Sequence, residues 1–231
     1  MSLNTAEQRQ VAGNPTVQYV APFVLFVLLL VGVPALRIPI QWEGPLRVGV
    51  LAIAGYICWP RDLSVRPVRP LASILIGCVV FLLWIGPDVL IPGYRKHWLF
   101  SNSLIGSTHS SIDPAALSDP SVLFWRTLRA TLIVPIVEEL FWRGWLMRWL
   151  IRSDFASVPL GAYKPLSFWF VALLFASEHG PYWDVALLTG VIYNAWMVRS
   201  RSMADCVLMH AVTNALLSIY VIATQQWQYW L

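Results

Sequence analysis

Glu138, Glu139 and Arg143 interrupt an otherwise apolar stretch, TLIVPIVEELFWRGWLMRWL. On the insertion scale each such group costs roughly 2.5–3.5 kcal/mol at the centre of a membrane helix. Three together are tolerable only if they face other protein and satisfy one another. Glu139 and Arg143 are four apart, so they share a helix face and can pair. Glu138 is rotated by about 100° from Glu139 and is free to point elsewhere. The pair reads equally well as an ion cluster that fixes packing. A second carboxylate with no cation in helical reach has no such packing rationale.

Two further apolar stretches carry polar groups. FASEHG ends in His179, one turn beyond Phe175. MADCVLMHAVTNALLSIY carries His210 and Asn214, again four apart on one face. Alone, His179 reads as a hydrogen-bonded helix-end residue, Glu178 beside it as a solvated end charge, and His210 with Asn214 as interhelical glue. Together, a carboxylate, two imidazoles and a carboxamide form a complete set for water-mediated acyl transfer. The carboxylate can act as base, an imidazole can hold the water, and a second imidazole with an amide N–H can donate to an oxyanion. There is no nucleophilic serine elbow and no HExxH. Glu138, His179 and His210 are also a known type of metal ligand set, so the sequence alone leaves a divalent metal such as zinc open, although no cofactor is expected.

The elements that must position these groups follow from composition. Of 231 residues 58% are hydrophobic and only 12% charged, about half the charge of a soluble domain. Lipid must therefore solvate much of the chain. Thirteen Trp and sixteen Pro suit membrane interfaces and spanning helices. Cys58, Cys78 and Cys206 lie in apolar runs with no CxxC spacing and read as small core residues. The net charge of +4 gives no case for nucleic acid; membrane lipid is the expected surrounding partner.

The expected fold class is an all-α, polytopic transmembrane helix bundle of about seven spans, with six to eight as bounds. After a polar tail over residues 1–16 the transmembrane domain runs over 17–231. Spans are expected at Val17–Leu36, Leu46–Trp59, Leu71–Leu90, Val122–Leu150, Leu166–Ser177, Trp183–Met197 and Met203–Thr224. The first is too long for a signal peptide's apolar region and is read as a retained helix. Ser118-Asp119-Pro120 reads as a capped helix start. Arg61, Arg66 and Arg69, then Arg148, Arg152 and Lys164, then Arg199 and Arg201 mark alternate turns as cytoplasmic, with the N-terminus inside. On that topology His179 sits near the outer end of its span and His210 nearer the inner end of its own. Tilt, offset ends or a broken fifth span must bring them level with Glu138.

Glu138-Glu139-Leu-Phe-Trp-Arg143, Phe175-Ala-Ser-Glu-His179 and His210-Ala-Val-Thr-Asn214 resemble, in order, the EExxxR, FxxxH and HxxxN motifs of the CPBP family, the CAAX prenyl protease and bacteriocin-processing proteins. The likeness covers about residues 120–220, the expected catalytic core. It implies that Glu138 activates the water with help from His179, that His210 and Asn214 form the oxyanion site, and that Glu139 and Arg143 support them. The short chain and the run PIVEELFWRGWLMRWL also resemble a bacterial CAAX-protease-like subgroup associated with exosortase and PEP-CTERM sorting.

The expected function is thus an intramembrane endopeptidase of the bacterial inner membrane, acting on a membrane-anchored or lipidated peptide or protein. A non-enzymatic immunity or scaffold protein of a sorting system is one alternative. A small-solute or proton carrier is another, since buried Glu and His also build relays.

Overall fold

The computed structural model describes residues 14–102, 105–106 and 114–230. Residues 1–13 of the expected tail and part of the polar connection before Asp119 lie outside them. Seven principal helices are present, and no β-strand occurs among the described residues. They are α1 Pro15–Ala35, α2 Ile40–Cys58, α3 Pro70–Leu90, α4 Pro120–Trp149, α5 Pro165–Ser177, α6 Trp183–Ser200 and α7 Met203–Thr224. The chain is a polytopic helical membrane bundle. Helices α1, α3, α4 and α7 are long and apolar enough to cross a membrane, whereas α5 is apolar but shorter.

Local chemistry sets the ends. Asn14 caps α1 by accepting from Thr16 N, with Pro15 in the first turn. Asp119 caps α4 in the same way, accepting from Ser121 N ahead of Pro120, as the sequence predicts. Helix α2 begins at Ile40 rather than near Leu46. Its polar first turns are held by the Glu43–Arg47 ion pair at 2.9 Å.

The outer surface of the bundle is apolar, and its charged groups are enclosed in a largely apolar core. Val31 is 76% and Tyr56 88% exposed, while Glu139 and Arg143 are fully buried. Such an outward apolar surface is what lipid solvates. Close helix approaches rest on small residues. A Cβ on Gly77 of α3 would lie 2.6 Å from the Met209 carbonyl of α7, and one on Gly190 of α6 would lie 3.1 Å from Ala172 of α5. Asp205 fastens the start of α7. Its carboxylate accepts from Val68 N, Arg69 N and the Ser73 hydroxyl, tying α7 to the turn before α3.

Candidate active site

Helix α4 carries the first group of polar residues and is not a uniform α-helix. Residues Arg129–Ile133 and Leu140–Leu146 are wound as π-type turns on either side of Val134–Glu139. Insertions of this kind re-aim side chains and are frequent at functional sites.

Glu139 and Arg143 meet as the spacing predicts, at 3.1 Å and without solvent exposure. Two more helices complete the arrangement. Arg143 Nε donates to Asn194 Oδ1 at 3.0 Å, and Asn194 Nδ2 donates to the Phe168 carbonyl. The guanidinium lies between the rings of Phe175 and Tyr193, 4.7 and 5.3 Å from their centroids. Glu139 Oε1 also receives His210 Nδ1 at 2.9 Å. The same carboxylate oxygen thus ties α4 to α7 through the imidazole. Its acceptor character puts the His210 proton on Nδ1 and turns Nε2 away from Glu139. The Tyr193 ring packs at a tilt against this imidazole, 5.1 Å between centroids, and its hydroxyl donates to Thr213.

Glu138 differs from its neighbour. It is 7% exposed, and its Oε2 is buried without a hydrogen-bond partner among the described residues. It lies within electrostatic range of Glu139, Arg143 and Glu178. The Thr127 and Thr131 hydroxyls, earlier on the same helix, are likewise buried without a partner among the described residues. Buried polar atoms of this kind are ordinarily satisfied by water.

His179 follows α5 directly. Its Nδ1 lies 2.6 Å from the Phe175 carbonyl. A carbonyl only accepts, so Nδ1 carries the proton and Nε2 keeps its lone pair. The ring packs on Phe175 and on Trp84 of α3, and His179 and His210 lie within electrostatic range of each other. The difficulty of depth is met by length. The 13 residues of α5 rise only about 20 Å, against about 30 Å of hydrocarbon. The helix therefore ends inside the bundle. Glu178, at its end, is exposed and accepts from Trp142 Nε1 at 3.2 Å.

Asn214 shares the His210 face of α7, but its Nδ2 donates to the Ala130 carbonyl of α4 at 2.9 Å. Among the described residues no three His, Cys, Asp or Glu side chains gather closely enough to hold a metal ion.

Beyond His179 the turn is clamped from above. Buried Arg95 bonds the Pro181 carbonyl, Asp184 and Asp88, and its guanidinium faces the Tyr182 ring at 4.4 Å. Tyr94 donates to Asp184; burial first, and then that bond, raise its phenol above the usual pKa.

The three motifs therefore sit on α4, the end of α5, and α7, with His210 locked to Glu139. Residues 120–216 also match the family model described as Type II CAAX prenyl endopeptidase Rce1-like. This segment is similar to that family, in agreement with its likeness to the CPBP motifs. The match starts at the first residue of α4 and ends two residues beyond Asn214, so all three motifs fall inside it. Neither the curated proteins nor the solved structures include a match to the chain. The match supports a membrane protease activity in general.

Sequence reasoning missed Asn194 and Tyr193, which complete the Arg143 environment from α6. A signal was present: Asn194 is a carboxamide in the apolar run GVIYNAWM, and the cost of polar groups in hydrocarbon applies to it as well.

Proposed function

We propose that the chain is an intramembrane endopeptidase that hydrolyses a peptide bond of a membrane-anchored substrate by glutamate-activated water. The observation that carries this reading is the contrast between adjacent carboxylates. Glu139 is held through Oε1 by both Arg143 and His210, with its Oε2 left without a partner among the described residues, while neither oxygen of the Glu138 carboxylate makes a hydrogen bond or ion pair among the described residues and its Oε2 is buried. Burying such a group costs several kcal/mol unless something else uses it.

In the proposed reaction a water sits between Glu138 and the His179 Nε2 lone pair. Glu138 takes one water proton as the oxygen bonds the scissile carbonyl carbon. The carbonyl electrons move to oxygen, and His210 Nε2–H and the free Nδ2–H of Asn214 donate to that oxyanion. The tetrahedral intermediate then collapses. The C–N bond breaks, and the proton held by Glu138 passes to the leaving amine. General-base assistance of this kind contributes roughly 10²–10⁴-fold, and an oxyanion donor roughly 10²–10³-fold.

Charge balance supports the pairing of roles. For Nε2 to donate, His210 must be an imidazolium, since Nδ1–H is committed to Glu139. With Glu138 and Glu139 ionised and Arg143 and His210 cationic, the group of four is electrically neutral. A low-dielectric interior favours that balance.

The basic turns favour one orientation. Arg61, Arg66, Arg69, Arg148, Arg152, Lys164, Arg199 and Arg201 gather at the end where α7 begins, which we read as the cytoplasmic side of the inner membrane, with the N-terminus inside. His210 is then about 10 Å deep along α7, within reach of a peptide that enters from the cytoplasm. A farnesylated peptide with a CAAX end is the first substrate to try, because the matched family model is that of a CAAX prenyl endopeptidase.

The test is incubation of that peptide with purified protein in liposomes made in ¹⁸O-water. Two fragments, with one ¹⁸O in the new carboxyl group and no covalent acyl-protein, are expected. An acyl-protein intermediate trapped by hydroxylamine would contradict direct attack by water.

A further inference from the structure

The main-chain hydrogen bonds of α4 leave one carbonyl short of a donor, at a residue outside the three motifs. In the π-type turn Arg129–Ile133 the Val134 N–H bonds the Arg129 carbonyl, five residues back. The next bond in that register would run from residue 135 to the Ala130 carbonyl. Residue 135 is proline and has no N–H. The Ala130 carbonyl is therefore left without its main-chain donor, in a half-buried position between helices. The group that meets it is Asn214 Nδ2, at 2.9 Å. An unsatisfied buried carbonyl is costly, so the vacant lone pair holds the amide strongly.

We infer that Pro135 is a positioning residue: by denying Ala130 its helical partner it creates the acceptor that fixes the Asn214 carboxamide beside His210. One amide N–H is held by Ala130, which sets the amide plane and leaves the other N–H directed by it. The winding of α4 and the donor on α7 are then one device. The effect on the reaction rests on the hydrolase reading above; the hydrogen-bond exchange itself does not.

The experiment is a double-mutant cycle on the full chain in detergent, with wild type, Pro135→Ala, Asn214→Ala and the double variant. In Pro135→Ala the restored N–H can satisfy Ala130. Melting temperature is read first. Asn214→Ala in the wild-type background should lower it by at least about 3 °C, and in the Pro135→Ala background by less than a third of that. Equal shifts in the two backgrounds overturn the inference. Pro135→Ser supplies the same N–H and replaces Pro135→Ala if that variant does not fold.

Cleavage of the farnesylated peptide is read second. Asn214→Ala should lower kcat by about 100-fold with little change in KM. Pro135→Ala should lose most of the same kcat, and the double variant should be no worse than Asn214→Ala. Additive kcat losses contradict the positioning role. Full activity in Asn214→Ala removes Asn214 from the oxyanion site, while a coupled melting cycle in the same proteins keeps the hydrogen-bond exchange, so the two failures are distinguishable.

Discussion

Glu138 and Glu139 are neighbours in sequence and opposite in circumstance. Glu139 is the hub of the buried ion network, touched by Arg143 from its own helix and by His210 from α7. Removing its charge leaves a buried guanidinium without its counter-ion. Breaking a buried pair from one side costs about 3–5 kcal/mol. Glu139→Gln should therefore fall in melting temperature well below wild type, measured by thermal denaturation in detergent, and Arg143→Met should fall similarly. A melting temperature unchanged in both would mean that the network does not hold the bundle together. The Glu139–Arg143 pair was legible in the sequence because it obeys helical spacing alone. The bond from His210 to Glu139 was not, because it depends on how α7 packs on α4. Asn194 stood out as a carboxamide in an apolar run, but its pairing did not, since its partner lies 51 residues away in the chain.

At the scale of elements, the helix types and most of the ends followed from apolar runs, caps and prolines. The wound turns in α4 did not. They arise where Pro135 breaks the hydrogen-bond series and where side chains from α1, α6 and α7 crowd the helix, and no local pattern encodes that. The short α5 was visible as a 13-residue run, but its consequence for the depth of His179 needed the packed structure. The turn after it is held by Arg95, whose clamp on Pro181 and Asp184 fixes the backbone just beyond His179. Arg95→Met leaves two aspartates facing one another without their cation. It should cost on the order of 3 kcal/mol and speed amide hydrogen exchange across residues 178–184, as read by mass spectrometry. Unchanged exchange there would show that the clamp is not what orders the turn.

For the whole molecule, the composition alone required an apolar surface for lipid and protein around the charges, and the structure has an apolar outer surface with Glu138, Glu139 and Arg143 buried. Seven helices, some too short or too polar to be recognised singly as spans, become a coherent bundle because they share one largely apolar interior that also encloses the buried ion network. Their orientation can be read with a membrane-impermeant maleimide in intact cells, using a background in which Cys58, Cys78 and Cys206 are replaced. Arg66→Cys, in the exposed turn before α3, should be labelled only after the membrane is opened. Trp98→Cys, in the exposed connection after α3, should be labelled in intact cells. The reverse pattern would invert the topology and place the site nearer the outer face.

The proposed mechanism requires that the carboxylate of Glu138, which makes no hydrogen bond among the described residues, is retained for chemistry at the expense of stability. The direct measurement is cleavage of the farnesylated peptide by Glu138→Gln, made on protein whose melting temperature is recorded in parallel. An amide of the same shape cannot accept the water proton and carries no buried charge. We expect cleavage to fall at least about 100-fold while the melting temperature stays level or rises. Wild-type cleavage by a well-folded Glu138→Gln protein would contradict the proposal that this carboxylate activates the water.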